Sequence, residues 1–263
     1  MGCSASPCPR RPHVADPVLR VEGLCKRFGG LLANDAISLE VSRGEVHAVI
    51  GPNGAGKTTF IAQLCGEIAP DAGRVLLGGV DVTRQAPHQR ARAGLARSFQ
   101  ITSIMPSLTV REHVALAVAG ARGEAWRPWR RLLDQAAIAR CADEAIARLG
   151  LGAKAEYPGM NLSHGERRQL EIAMAVALEP SVLLLDEPAA GLGMQESAAL
   201  GALIRELGRD VAVVLVEHDM DIVFSVADTV TVLVEGRVIA SGPPGRIRDD
   251  PDVRRAYLGD DDA

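Results

Sequence analysis

The 263-residue chain is predicted to be an α/β protein carrying a helical insertion. Three observations carry that prediction. Apolar runs of strand length alternate with helix-length stretches through most of the sequence. Between Thr109 and Gly150 the strand signals give way to an almost continuous helical pattern. The apolar run VHAVI leads directly into a glycine-rich turn and then a helix pattern, the order in which a strand hands over to a phosphate-binding loop.

In chain order, residues 1–17 contain Pro, Ser and Arg without apolar periodicity and are expected to form a disordered N-terminal extension. The extension lacks the apolar centre of a secretory signal, and its match to M-G-x-x-x-[ST] at Met1, Gly2 and Ser6 is read as chance. Strands are predicted at Val18–Leu24, Ala36–Val41 and Val46–Ile50, followed by a helix from Lys57 to about Glu67. Thr109 and Glu112 form a capping-box pair that opens the helical block, which is interrupted near Trp126–Trp129. LSHGERRQLE, Leu162–Glu171, reads as a helix opening at Glu166, and a helix start is an anion site because its first N–H groups lack intrahelical partners. Strands return at Val182–Leu185, Val211–Val216 and Thr229–Val234, separated by helices, and no internal repeat is seen. Residues 18–263 are read as one domain.

Composition narrows the function. Hydrophobic residues at 47% supply a substantial core, while a net charge of −4 and only 3% aromatics argue against a nucleic-acid partner. The 5 cysteines include no C-x-x-C pair, which points to reduced thiols in a cytosolic protein and away from a disulfide frame or zinc site. No apolar run approaches the roughly 20 residues of a membrane-crossing helix.

GPNGAGKTT comprises Gly51, Pro52, Asn53, Gly54, Ala55, Gly56, Lys57, Thr58 and Thr59 and fits G-x-x-x-x-G-K-[ST]. The glycines let backbone N–H groups curl round phosphates, Lys57 brings a compact charge to the β and γ groups, and the Thr58 hydroxyl can ligate Mg²⁺. Lysine is rare in this arginine-rich chain, occurring only at Lys26, Lys57 and Lys154, so its use in the loop is consistent with a need for an ammonium there. VLLLDEP, Val182–Pro188, runs an apolar strand into two acids whose side chains point to opposite sides if the backbone stays extended. That geometry divides the work, with Asp186 in the Mg²⁺ shell and Glu187 acting as base on the attacking water. LVEHDM places His218 at the C-terminal end of another core strand, in reach of a γ-phosphate.

With these elements in order, the chain resembles the ATPase subunits of ATP-binding cassette (ABC) transporters over Val18–Gly259. The resemblance implies a P-loop NTPase fold with a RecA-like core, an antiparallel β subdomain, a helical signature subdomain at about 101–175 and a C-terminal tail at 246–263. It makes LSHGE (Leu162, Ser163, His164, Gly165, Glu166) the signature, Gln100 of SFQ the Q-loop glutamine and a Mg²⁺ contact, LDEP the Walker B motif, His218 the switch histidine and Phe28 the residue that stacks on adenine. In such proteins two subunits pair head to tail, so the signature helix meets the ATP bound by the other subunit. The implied partners are transmembrane permease subunits, a sister ATPase or second copy and, indirectly, a periplasmic solute-binding protein. The implied place is the cytoplasmic face of the bacterial inner membrane.

KRFGGLLA, ARSFQ, LDEPAAGL, VEHDM and the tail DDPDVRRAYLGD are similar to the larger ATPase subunit of branched-chain amino-acid importers. Urea or amide importers and lipopolysaccharide exporters share these motifs, and a soluble ABC ATPase acting on nucleic acid or ribosomes is the alternative from another class. Two residues depart from the family pattern: His164 where glycine is commoner, and Gly193 where many relatives have the D-loop aspartate that couples the two ATP sites.

Overall fold

The computed structural model describes residues 17–98, 104–121 and 135–258. The N-terminal extension up to residue 16, Gln100, the interruption at Trp126–Trp129 and the end of the tail lie outside the described residues.

Two sheets form the body. The first contains β1 (Leu19–Phe28), β2 (Leu31–Val41), β4 (Ala72–Leu77) and β5 (Val80–Asp81) in the order β2-β1-β4-β5, every pair antiparallel. The second contains β3 (Val46–Ile50), β6 (Leu95–Arg97), β7 (Val182–Asp186), β8 (Ala212–Val216), β9 (Thr229–Val234) and β10 (Arg237–Gly242) in the order β10-β9-β3-β8-β7-β6. Its neighbours are parallel except for β10 against β9. β3, β7 and β8 are buried at every position, as parallel strands covered on both faces must be, which explains their unbroken apolar sequences.

Helix α1 (Lys57–Cys65) lies between the sheets, its Phe60 and Ile61 sharing one apolar cluster with Leu19 and Val75 of the first sheet and Val49 and Val214 of the second. It stops two residues short of the predicted Glu67 because Gly66 turns the chain left-handed, at φ 79°. Arg90 of α2 (Pro87–Arg92) closes that end. Fully buried, its guanidinium donates to the carbonyls of Gln63 and Leu64 at 2.6 and 2.7 Å and of Thr83 at 2.7 Å, adding donors to the last turn of α1 and tying it to the segment after β5.

The helical layer consists of α3 (Val110–Ala121), α4 (Ala136–Arg148) and α5 (His164–Val176), joined through Val114, Val118, Ile138, Ile146 and Leu170. The Thr109–Glu112 capping box is present, with Glu112 N–H donating to Thr109 Oγ1 at 3.2 Å and Thr109 N–H to Glu112 Oε2 at 2.7 Å. Helices α6 (Met194–Leu207), α7 (Met220–Val226), α8 (Pro244–Asp249) and α9 (Pro251–Leu258) complete the described chain.

Several boundaries differ from the sequence reading. β1 runs past Leu24 to Phe28, and β2 begins at Leu31, because Lys26, Arg27 and Phe28 pair with Asn34, Leu32 and Leu31 in a hairpin. β4, β5, β6 and β10 are additional strands, short or solvent-facing, formed by pairing with β1, β4, β7 and β9 respectively. α5 opens at His164 instead of Glu166, since Ser163 is its N-cap.

Candidate functional site

The phosphate loop starts where β3 ends. An added Cβ on Gly51 would lie 2.2 Å from the Leu233 carbonyl oxygen of β9, and one on Gly56 would lie 2.3 Å from the Ala33 oxygen, so both positions are confined to glycine. Gly56 also N-caps α1 at φ 95° with no side-chain cap, leaving the first N–H groups of α1 directed into the loop. Asn34 holds the Gly56 carbonyl at 3.1 Å. The Lys57 ammonium donates to the carbonyls of Gly51 and of Pro52, the latter at 3.1 Å. Burial holds it below the usual lysine range, against the pull of Glu187 and Asp186.

Phe28, Leu31, Asn53–Thr59, Glu187 and Arg237 line one cleft of about 910 Å³, a volume suited to a nucleotide. Phe28 is 46% exposed at the end of β1, with Lys26 Nζ 5.5 Å from its ring centroid. The structure therefore brings the expected adenine-stacking residue and the phosphate loop to the same opening.

Asp186 and Glu187 part company at the end of β7. Asp186 is 4% exposed and pairs with Arg97 of β6 at 3.0 Å, while Arg97 also reaches Glu67 at 2.8 Å. Burial pushes the Asp186 carboxyl above the usual range, and Arg97 opposes that shift. Glu187 leaves extended geometry for φ 46°, a left-handed conformation that costs an L residue about 1 kcal/mol, and its side chain borders the cleft. Its N–H donates to the Val216 carbonyl at 2.8 Å. The chain thus separates the two acids by a turn as well as by strand alternation.

His218 Nδ1 lies 3.8 Å from Glu187 Oε1 and 3.7 Å from Glu217 Oε2, beyond hydrogen-bond length. Glu217, given no role in the sequence reading of LVEHDM, is fully buried. Its Oε1 accepts from Ala189 N–H at 2.8 Å and its Oε2 from His218 N–H at 3.1 Å, so one carboxylate ties the loop after β7 to the loop after β8. The sequence signal was an acid continuing an apolar strand run.

Among the described residues no group of three or more His, Cys, Asp or Glu holds a metal unaided. Thr58 and Asp186 nevertheless suit Mg²⁺: a buried carboxylate and a hydroxyl at a phosphate loop are hard oxygen donors, and phosphate and water would supply the rest. Gln100 lies outside the described residues.

The start of α5 does not line the cleft. Ser163 and Glu166 form a reciprocal cap there. Ser163 Oγ accepts from Glu166 N–H at 3.3 Å, and Ser163 N–H donates to Glu166 Oε2 at 2.9 Å. Lys154 pairs with Glu166 and, as the largest cause, holds its carboxyl below the usual range. Leu162 is buried as an anchor, His164 Nε2 lies 3.3 Å from the Ala190 carbonyl oxygen, and Gly165 backs onto Glu196 of α6. One chain therefore carries two helix N-termini aimed at different places.

A family model described as ABC transporter matches residues 34–190, and one described as branched-chain amino acid ATP-binding cassette transporter matches residues 237–263. The high-affinity branched-chain amino acid transport ATP-binding protein LivG of Salmonella typhimurium is 39% identical over 256 residues, 94% of this chain and 100% of LivG. BraF of Pseudomonas aeruginosa, described in the same words, is 39% identical over 93% of this chain and 98% of its own. Among solved structures, an ATP-binding cassette of an ABC transporter in its ADP conformation superposes with a TM-score of 0.81 at 28% identity, covering 92% of this chain and 99% of that one. The chain belongs to the ABC transporter family, as an ATP-binding subunit and transport ATPase most like those of branched-chain amino-acid transporters.

Proposed function

We propose that this subunit couples ATP binding and hydrolysis to the import of branched-chain or related amino acids. The observation that carries the reading is the end-to-end likeness to LivG and BraF, which extends into the C-terminal segment matched by the branched-chain family model.

The residues divide the chemistry as follows. Phe28 stacks on adenine, and residues Gly51–Thr59 wrap the phosphates with backbone N–H groups. Lys57 exchanges its loop carbonyls for β- and γ-phosphate oxygens. Thr58, Gln100 and Asp186 would hold Mg²⁺, which when bound neutralises charge on those phosphates. Glu187 takes a proton from the attacking water, and His218, beside it, contacts the γ-phosphate. Leu162–Glu166 serve the nucleotide of the other subunit in a head-to-tail pair, either a sister ATPase or a second copy. This supports an alternating cycle in which nucleotide closes the pair and hydrolysis reopens it.

The motion would pass to permease subunits at the cytoplasmic face of the membrane, with a periplasmic solute-binding protein delivering substrate on the far side. An apolar groove of about 460 Å³ supports a docking role: Leu95 of β6, Leu116 and Ala117 of α3 and Met174 of α5 line it. No helix among the described residues is long and apolar enough to cross a membrane, so translocation needs other chains on this reading.

The test is uptake of labelled leucine at low concentration by cells whose native gene carries Glu187→Gln. Loss of uptake at normal protein level is the expected result. Unchanged leucine uptake with loss of urea or amide uptake would move the assignment to that import class.

A further inference from the structure

Glu187 holds its left-handed backbone because both of its peptide groups are fixed. The N–H is taken by the Val216 carbonyl of β8, and the carbonyl accepts from Arg168 Nη2 at 3.3 Å. Arg168 comes from α5, one turn beyond Ser163–Gly165. Its Nη1 pairs with Glu171 Oε2 at 2.8 Å, and the Glu171 side chain is only 3% exposed. A buried carboxylate on the same helix thus orients the guanidinium, and the planar fork directs its second arm to Glu187. Two further contacts join α5 to the segment after β7. His164 reaches the Ala190 carbonyl, and an added Cβ on Gly165 would lie 3.2 Å from Glu196 Oε1. The helix that meets a partner's nucleotide is therefore seated along the loop that follows its own general base.

We propose that Arg168 is a positioning residue that transmits the seating of α5 on a partner's nucleotide to Glu187 of its own chain. The inference rests on the roles given to Glu187 and α5 above and adds the link between them. A small displacement of α5 alters the hydrogen bond that holds the Glu187 carbonyl, and the strained backbone beside it has a relaxed alternative in the extended region. This route runs through a guanidinium and a peptide group. It needs no side chain at Gly193, where a D-loop aspartate would otherwise couple the sites.

The test compares Arg168→Gln, Arg168→Lys, Glu171→Gln and Glu187→Gln in the full transport complex. It reads kcat and KM for ATP hydrolysis, affinity for a fluorescent ATP analogue, and thermal melting. Arg168→Gln should lower kcat by about 10- to 100-fold, the effect of a general base misplaced by around 1 Å. KM and nucleotide affinity should stay within about twofold, because Arg168 does not line the phosphate cleft and lies beyond Leu162–Glu166, the segment assigned to a partner's nucleotide. Arg168→Lys should recover part of the loss, since an ammonium can replace one arm of the fork but not both. Glu171→Gln should fall between that variant and the wild type.

A folded Arg168→Gln protein with kcat within about twofold of wild type overturns the proposal, as does a raised KM at unchanged kcat or a melting change alone. Glu187→Gln separates the two levels of the argument. If it hydrolyses at the wild-type rate, the role of Glu187 and the inference built on it both fail. If it is slow while Arg168→Gln is not, only the role of Arg168 is lost.

Discussion

Replacing Gly51 with alanine probes the phosphate loop through a contact that no motif specifies. The new Cβ would stand 2.2 Å from the Leu233 carbonyl oxygen, 3.2 Å from its carbon and 3.0 Å from Ala55 Cβ. Ordinary contact requires the backbone segments to separate by about 1 Å. Leu233 cannot supply that movement, because β9 is bonded to β3 on one side and to β10 on the other. The loop must move instead, carrying the Gly51 carbonyl that accepts from the Lys57 ammonium. Overpacking of this kind costs about 1–3 kcal/mol of stability. A shift of roughly 1 Å in the phosphate cradle should cost about 100-fold in turnover, and the loss of one charge-assisted bond from the displaced loop to a phosphate about tenfold in nucleotide affinity. Titration with a fluorescent ATP analogue, phosphate release and thermal melting would measure all three. Wild-type affinity and turnover in a folded Gly51→Ala protein would refute the reasoning, since it would show that the loop does not press on β9.

Arg90→Met strips donors from the carbonyls of Gln63, Leu64, Thr83 and Gln85 while sparing the cost of burying a cation. A net loss of about 2–4 kcal/mol is expected, read as a fall of roughly 5–15 °C in Tm by calorimetry. Glu166→Gln should keep the capping box but lose the Lys154 ion pair. Because Lys154 depresses the native pKa of Glu166, the wild-type pair stabilises the fold above the unfolded carboxylate pKa and loses that contribution as pH falls through the native value. Urea midpoints measured between about pH 6 and pH 3 should therefore fall more steeply for wild type than for Glu166→Gln. Parallel curves would remove the pair from the stability of α5.

What the sequence made legible was local. GPNGAGKTT, VLLLDEP and VEHDM each set an apolar strand against polar residues within a few positions, and each lies where that pattern puts it. The Thr109–Glu112 cap was readable for the same reason. β6 was not, because three residues, Leu95–Arg97, carry no periodicity and become a strand only by pairing with β7. β4 and β5 sit among glycines, and β10 alternates between half-buried and exposed at a sheet edge, so their apolar signal is weak.

The supporting residues of the site escaped for a related reason. Arg97 meets Asp186 across 89 positions, and Glu217 meets Ala189 across 28. Arg168 meets Glu187 across 19, from a different element. Spacing along the chain does not announce such pairs, because the fold creates them. The capping role of Ser163 shows the limit at the scale of a single turn. The sequence shows the helix but opens it at Glu166, two residues late, while the Ser163–Glu166 reciprocal bonds fix the boundary at His164.

The most direct test of the account is phosphate release by the transport complex carrying Glu187→Gln, measured beside its affinity for ATP. Glu187 borders the cleft, and on the proposed reading the phosphate loop supplies the contacts that bind nucleotide, so turnover should fall by roughly 10²- to 10⁴-fold with affinity preserved. Hydrolysis at the wild-type rate would contradict the assignment of Glu187 as the base that drives the cycle.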